Sequence, residues 1–341
     1  RLEEIGLEGV EWKEAESSLY AAFLVEKTMM YGVLSLLFII IMVSMKQSVR
    51  IFVSSRRKES AEAFISPRTG IAAHESYRDL FRDQRVEAVY IAVPNTLHYA
   101  LIKEALEKGK HVLSEKPMTL SPLEMSELYR MAEERGVMLM EGYWVWFLPM
   151  AEKLRKIKER IGRIEKITLA YGFVSEGERR RRKLSPSLGG GAIYDIGIYN
   201  LGIPEMLGLT EPVVMESKVR RNELGSDEYS FTVLRYKEGA VVETTNAIGE
   251  DIPRICTIQG EKGAINIPDF QNLTSFTLET GSTHEEFSSP FLINGFEYEI
   301  ESFSEEAKKG RTHSSLFTPS HSINISTVID DIVSYWRSEG L

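Results

Sequence analysis

Four short stretches put reactive side chains where elements of the chain end. Ser114-Glu115-Lys116-Pro117 closes the apolar run Val112-Leu113. A charged pair followed by proline cannot continue a central strand, because proline lacks the ladder N–H. Lys116 is therefore set down at a strand end, as an ammonium able to hold an oxygen; standing alone, it reads first as a solvated loop charge. In Gly189-Gly190-Gly191-Ala192-Ile193-Tyr194-Asp195-Ile196-Gly197-Ile198-Tyr199 the glycines allow close backbone approach at a helix start. Asp195 and Tyr199 are four apart and share one helix face. A carboxylate and a phenol presented together can orient a substrate hydroxyl and relay its proton; the alternative makes Asp195 a partner of the helix dipole and Tyr199 a core residue. Val93-Pro94-Asn95 with His98 offers polar contacts at another strand end, although His98 alone reads as a helix-surface histidine. Ser54-Ser55-Arg56-Arg57 ends a further strand. An acidic residue there would hold a ribose 2′-hydroxyl, whereas serine and arginine suit a 2′-phosphate; a solvated charge pair at a helix start fits these residues equally.

The elements that must position these groups alternate along the first half of the chain. Strands are expected at Tyr31–Ser35, Val49–Val53, Val86–Val93, His111–Leu113 and Val137–Met140, and helices at Ile39–Ser48, Glu59–Ile65, Tyr77–Phe81, Leu97–Lys108 and Ser121–Arg135. Val86–Val93 is almost continuously apolar, as in a parallel strand buried on both faces. Gly109 and Gly136 stand at left-handed helix ends, and Ser121-Pro122 with Glu124 reads as a capped helix start. After Pro149 the texture changes. A helix at Met150–Ile161 and a strand at Ile164–Val174 lead to the triple glycine and a helix through Leu207. Strand-like runs follow at Val213–Val219, Tyr229–Tyr236, Ala240–Asn246, Arg254–Gln259, Ala264–Ile267 and Leu273–Leu278, and helices at Phe296–Lys309 and Ser322–Trp336. The fold class is α/β: an N-terminal Rossmann-type parallel sheet plus a C-terminal α+β domain with a large open, mostly antiparallel sheet. The expected division is an appended segment 1–28, a dinucleotide-binding domain 29–145 and a substrate and dimerisation domain 146–341.

A chain of 341 residues with 43% hydrophobic and 27% charged residues has room for two ordinary domains. Its net charge, 41 − 50 = −9, argues against nucleic acid or an anionic membrane as the main partner. The single cysteine, Cys256, cannot form an internal disulfide, which fits a reducing cytoplasm. No metal-ligand pattern stands out. Thr28–Met45 carries no charge over 18 residues, the lower limit for a bilayer span. A buried strand plus helix is the preferred reading, a membrane anchor the alternative. An acidic segment precedes this run, so it is not a secretory signal.

In their order and spacing, Pro94-Asn95-x-x-His98, Glu115-Lys116-Pro117 and the glycine-rich stretch ending Asp195-x-Gly197-x-Tyr199 resemble the Gfo/Idh/MocA family of oxidoreductases, over roughly residues 49 to 340. The Asp-Ile-Gly-Ile-Tyr version is similar to the branch of dimeric dihydrodiol dehydrogenases, NADP-dependent xylose dehydrogenases and glucose-fructose oxidoreductases. The resemblance implies Lys116 and Tyr199 as the catalytic pair with Asp195 beside them. It implies cofactor contacts from Ser35, Ser55, Arg56, Arg57, Pro94, Asn95, His98, Glu115 and Lys116, and NADP rather than NAD. Trp144, Trp146, Lys183, Asp195 and Tyr199 would face a sugar or diol substrate, and a homodimer would form through the C-terminal sheet. The implied chemistry is hydride transfer between a carbinol carbon and nicotinamide C4. In this reading Tyr199 is the proton acceptor, its pKa of ~10 lowered by ~2–3 pH units, or ~3–4 kcal/mol, by the Lys116 ammonium; Lys116 as the base is the reverse assignment. The alternative function is a non-catalytic sugar- or dinucleotide-responsive regulator of the same fold.

Three departures from the family pattern stand out. No G-x-G-x-x-G follows the first strand; Ser35-Leu36-Leu37-Phe38-Ile39-Ile40-Ile41-Met42 adds bulk where small residues let a backbone approach a pyrophosphate. That run reads either as out-of-frame sequence or as a decayed cofactor turn. Trp146 stands where relatives usually carry arginine. Arg179-Arg180-Arg181-Arg182-Lys183 is strongly basic, and reads as a solvated loop before a second phosphate contact.

Overall fold

A computed structural model describes residues 51–54 and 71–341 of the chain. The expected strand Tyr31–Ser35, the helices Ile39–Ser48 and Glu59–Ile65, the apolar stretch 28–45, the segment 1–28, and Ser35, Ser55, Arg56 and Arg57 lie outside the described residues.

In the first half, β1 (Ile51–Ser54) pairs in parallel with β2 (Ile71–His74), and helix α1 (Tyr77–Arg82) follows. A second parallel sheet of three strands holds β3 (Ala88–Ile91), β4 (His111–Glu115) and β5 (Leu139–Gly142) in that order. Its crossovers carry α2 (Asn95–Glu107) and α3 (Pro122–Arg135). Side chains alternate between the faces, as strand geometry requires. Val89, Ile91, Val112 and Leu139 pack under α2 and α3, while Ala88, Tyr90, Leu113 and Met140 join the core of the second half. Both faces are thus covered, which explains the near-continuous apolar run in β3; each such side chain contributes about 1.5–3 kcal/mol on burial.

Helix α2 begins at Asn95, directly after Pro94, and its end at Lys108 is followed by left-handed Gly109. Helix α3 ends on left-handed Gly136. Ser121 is extended there, but its hydroxyl makes no capping bond, so the cap expected from Ser121 and Glu124 rests on Pro122 and the acidic first turn alone.

A 3-10 turn, Trp144–Phe147, leads to α4 (Pro149–Ile157), which tightens to 3-10 over Lys158–Ile161. The second half is built on one eight-stranded sheet in the order β13-β12-β11-β10-β6-β9-β8-β7. The strands are β6 (Ile164–Phe173), β7 (Val213–Arg221), β8 (Asp227–Arg235), β9 (Val241–Ile248), β10 (Ile252–Gly260), β11 (Gly263–Ile267), β12 (Ser275–Thr280) and β13 (Thr283–Ser288). Only the β6–β9 pair is parallel. β13 has no counterpart in the sequence expectations. It is an edge strand, Thr-His-Glu-Glu-Phe-Ser, in which Phe287 packs on Phe276; charge at an edge deters further pairing and hides the hydrophobic pattern.

Helices α5 (Gly177–Lys183), α6 (Ile198–Met206), α7 (Glu297–Lys308) and α8 (Pro319–Ser338) complete the chain. The basic stretch is thus the helix α5, not a loop. Helix α8 returns to the first half: Tyr129 donates to Ser322 Oγ at 3.0 Å, and Ser322 donates to Glu141 at 2.5 Å. Among the described residues no helix is long and apolar enough to cross a membrane, and no cluster of His, Cys, Asp and Glu side chains could hold a metal ion.

Candidate active site

The carboxyl ends of β3, β4 and β5 face the triple-glycine stretch of the second half. Gly189 makes the approach possible. It has φ +73°, and a Cβ there would lie 2.8 Å from Asn95 Cβ and 2.9 Å from Leu120, so only glycine brings the two halves this close. Asn95 Nδ2 donates to the Gly189 carbonyl at 2.9 Å. Beyond Gly191 the chain enters a single π-helical turn, Ile193–Gly197, before α6. Such turns concentrate at functional sites, and this one carries Asp195. Asp227, at the start of β8, holds the turn in place. Its carboxylate accepts from Ile193 N at 2.7 Å and also from Ala192 N. A Cβ on Gly191 would strike that carboxylate.

Lys116 leaves the end of β4 and reaches across to this turn. Its ammonium donates to the Asp195 carbonyl at 2.7 Å, lies 3.6 Å from Asp195 Oδ1, and sits 4.5 Å over the centre of the Tyr199 ring. The other carboxylate oxygen, Oδ2, accepts from Lys183 at 2.6 Å. Burial alone would push the Asp195 carboxyl up, but the ammoniums of Lys183 and Lys116 hold it far below the usual carboxylate range. Lys183 also lies 5.1 Å over the ring of Phe173. Thus Lys116, Lys183, Asp195 and Tyr199, drawn from four segments, meet in one cleft.

The Tyr199 phenol is raised well above its ordinary value, first by burial, then by the charges of Glu115 and Asp195; hydrogen bonds from Trp144 and Gln271 act against them. This corrects the expectation that Lys116 lowers the phenol's pKa. The ammonium lies over the ring face, a cation–π position. In this geometry Tyr199 is a protonated hydrogen-bond donor at neutral pH.

The remaining candidates divide. Trp144 borders the site, stacked on Phe296 at 5.0 Å. Pro94 and Asn95 form the rim at the N-terminus of α2, where no side chain caps the amides. Glu115 lies beneath Lys116, hydrogen-bonded by Tyr90, and burial pushes its carboxyl up. His98 is fully buried, with Nδ1 2.8 Å from the Pro117 carbonyl and Nε2 2.8 Å from the Val93 carbonyl. It ties β3 to the loop after Lys116 from below, and so is not placed for cofactor contact. Trp146 also departs from expectation. Its indole donates to the Leu316 carbonyl at 3.1 Å and its ring packs on Phe317 and His321, away from the cleft. A 3-10 turn sends neighbours two apart in different directions, which separates Trp144 from Trp146.

Several site residues carry no signal in the sequence. Gln271 comes from the connection between β11 and β12. Its carbonyl accepts from Arg254 at 2.9 Å, and Arg254 pairs with Asp269 at 2.7 Å. The Tyr171 hydroxyl senses Asp195, Tyr199 and Arg254 together. Glu141 accepts from Met118 N at 2.8 Å and so anchors the loop after Lys116.

The described part of this edge fits the nicotinamide half of a dinucleotide: carboxyl ends of parallel strands, an uncapped helix N-terminus and a lysine at the strand end.

Residues 41–143 match the family described as an oxidoreductase family with an NAD-binding Rossmann fold, and residues 153–266 match the GFO/IDH/MocA C-terminal domain. A trans-1,2-dihydrobenzene-1,2-diol dehydrogenase of Mus musculus is 30% identical over 247 residues, 72% of this chain and 72% of that protein. A D-xylose 1-dehydrogenase (NADP(+)) of Haloferax volcanii is 26% identical, over 75% of this chain and 81% of that protein. The fold is also that of a 3-ketoreductase from Actinomadura kijaniata, solved with NADP and TDP-benzene, with a TM-score of 0.76 at 22% identity over 85% of this chain and 90% of that one.

Proposed function

This chain belongs to the Gfo/Idh/MocA family of oxidoreductases, and from that premise we propose that it is an NADP-dependent dehydrogenase moving a hydride between the carbinol carbon of a sugar or diol and a nicotinamide. The observation that carries this reading is the meeting of Lys116, Asp195 and Tyr199 at the carboxyl edge of a parallel sheet. The names of the diol and xylose dehydrogenase relatives support the substrate class. Ser55-Arg56, with the NADP(+) of the xylose enzyme's name, supports NADP over NAD.

A bound nicotinamide supplies or takes the hydride. Everything else falls to the chain's own residues. In the reductive direction the substrate carbonyl oxygen gains negative charge as its carbon receives the hydride. Tyr199, protonated at neutral pH, gives that oxygen its proton. Lys116 is fixed by Asp195 and adds positive charge beside the same oxygen, in a cleft where its side chain is only 9% exposed. Lys183 keeps the Asp195 carboxylate ionised and oriented. In the oxidative direction the proton runs back from the substrate hydroxyl to the Tyr199 oxygen.

NADPH fluorescence on adding the full chain, followed by turnover on pentoses, hexoses and cyclic diols, tests this reading. The expected result is NADPH binding with Lys116-dependent turnover. No binding at millimolar cofactor overturns it, and binding without turnover favours the regulator. The chain is further proposed to be a cytoplasmic homodimer paired through the open sheet, whose strands expose Met215 and Ile255; a monomer mass by light scattering would contradict the pairing.

A further inference from the structure

We infer that Arg254, seated with Asp269 and Gln271, is a specificity-determining residue of this cleft: it recognises the hydroxyls of a sugar away from the reacting carbon, and so favours a polyhydroxylated substrate over a cyclic diol with an apolar remainder. The inference rests on the function proposed above and narrows its substrate class.

Arg254 stands where the sheet is irregular. Between the pairs Ile252–Gly172 and Ile255–Ala170, β10 sets Pro253 and Arg254 against Tyr171 of β6 alone. Two residues against one make a β-bulge, a device that re-aims a side chain and recurs beside active sites. Proline, which has no ladder N–H, is tolerated at such a point. Further along β10 the inner face carries Cys256 and Ile258, both buried. Arg254 ends this stripe, with its guanidinium 5.8 Å over the Tyr171 ring and its side chain still 36% exposed. A charge on an otherwise apolar face calls for partners.

Two paths place this group in the cleft. Across the sheet, the π-helical turn that carries Asp195 packs on β9: a Cβ on Gly197 would lie 3.4 Å from the Asn246 amide. Asn246 is paired with Tyr171 on β6, and Tyr171 faces Arg254 across the bulge. With strands ~4.8 Å apart, Arg254 is about 10 Å from the strand beneath the turn, close enough for one sugar to touch both. Along the aromatic side chains, Lys183 holds the Asp195 carboxylate at 2.6 Å and lies 5.1 Å over Phe173. Phe173 is 6.0 Å from Tyr171, and Arg254 covers that second ring.

The group is built for hydroxyls and not for an anion. Asp269 Oδ2 lies 2.7 Å from the Arg254 guanidinium, which balances its charge. Asn272 fixes the carboxylate in turn, donating to it from N at 3.0 Å and from Nδ2 at 2.9 Å. Arg254 Nη1 donates to Gln271 Oε1 at 2.9 Å, and Phe270 N donates to the Arg254 carbonyl at 3.0 Å, which ties this connection to the strand. A guanidinium carries five N–H groups, more than these two partners use. Beside it stands a carboxylate that is 30% exposed. Fixed donors and acceptors side by side match hydroxyls, which need both. An apolar ring would leave them unpaired, and that is the source of the discrimination.

The test compares kcat/KM with NADP on D-xylose and on trans-cyclohexane-1,2-diol in the full chain. Taking the ratio cancels any loss of folded protein. The parent should favour xylose, and Arg254→Met should lower the xylose-to-diol ratio about 10-fold to 100-fold, mostly through KM, as for one or two hydrogen bonds to a charged donor. Arg254→Lys, which keeps the charge but loses the fork, should lower it as well. A ratio unchanged in Arg254→Met, or a parent that favours the diol, overturns the inference. Binding is read separately, by saturation-transfer NMR of xylose on the full chain with NADP present. Xylose signals that weaken in Arg254→Met support the subsite even in a chain that never turns over, a result that would refute the proposed function alone. Signals equal in the two proteins, or absent from the parent, overturn the inference.

Discussion

Asp227 gives the most searching check on how the site is held. Its side chain is 4% exposed, and its carboxylate accepts the amides of Ile193 and Ala192 at the entrance to the turn that carries Asp195. Burial pushes the carboxyl up to about 7, against the backbone donors that pull it down. The same group in an unfolded chain titrates near ~3.9. Between these values the unfolded chain has lost the proton and the folded chain still holds it. The unfolded state therefore binds fewer protons, and stability falls as pH rises from about 4 to about 7, then levels off. Between pH 5 and 8 this amounts to ~2–3 kcal/mol, reduced to ~1–2 kcal/mol once the site relaxes and admits water. In Asp227→Asn the side chain cannot ionise and still offers one oxygen to the Ile193 amide. The fall in Tm between pH 5 and 8, followed by circular dichroism, should be smaller in the variant than in the parent by roughly 3–6 °C. Identical pH dependence in the two proteins would refute the burial argument. A variant less stable at every pH by the same amount would mean that the amide contacts matter and the charge does not.

Lys116→Met should lower kcat by about 100-fold to 10,000-fold with Tm little changed, checked by steady-state rates and thermal melts. Because the Tyr199 phenol sits well above its ordinary value, alcohol oxidation should rise with pH with a slope of about one per pH unit, whereas carbonyl reduction should stay flat through neutrality; rate profiles in both directions read this. Trp146→Ala should cost about 3–5 kcal/mol of stability in urea unfolding while KM stays unchanged, since the ring packs on Phe317 and His321.

The amino-acid sequence by itself determined the α/β order of elements, the antiparallel second half, and the placement of Lys116 at a strand end and of Asp195 with Tyr199 on one helix face. The reason is that these depend on local rules. Proline after Glu115-Lys116 ends a strand, glycines at 109 and 136 end helices, and a spacing of four puts Asp195 and Tyr199 on one face. The charged edge strand β13 escaped the same rules because its apolar pattern is reduced to Phe287. Only the tertiary structure decided which groups surround the phenol. The Lys116 ammonium took the face of the Tyr199 ring, and burial pushed the phenol's pKa up. It also moved His98 and Trp146 out of the site, through contacts with carbonyls and rings far along the chain. Long-range packing sets the direction of a side chain and the burial around it, and no spacing along the sequence encodes either; hence the lysine was legible from its neighbours, and the proton state of its tyrosine was not.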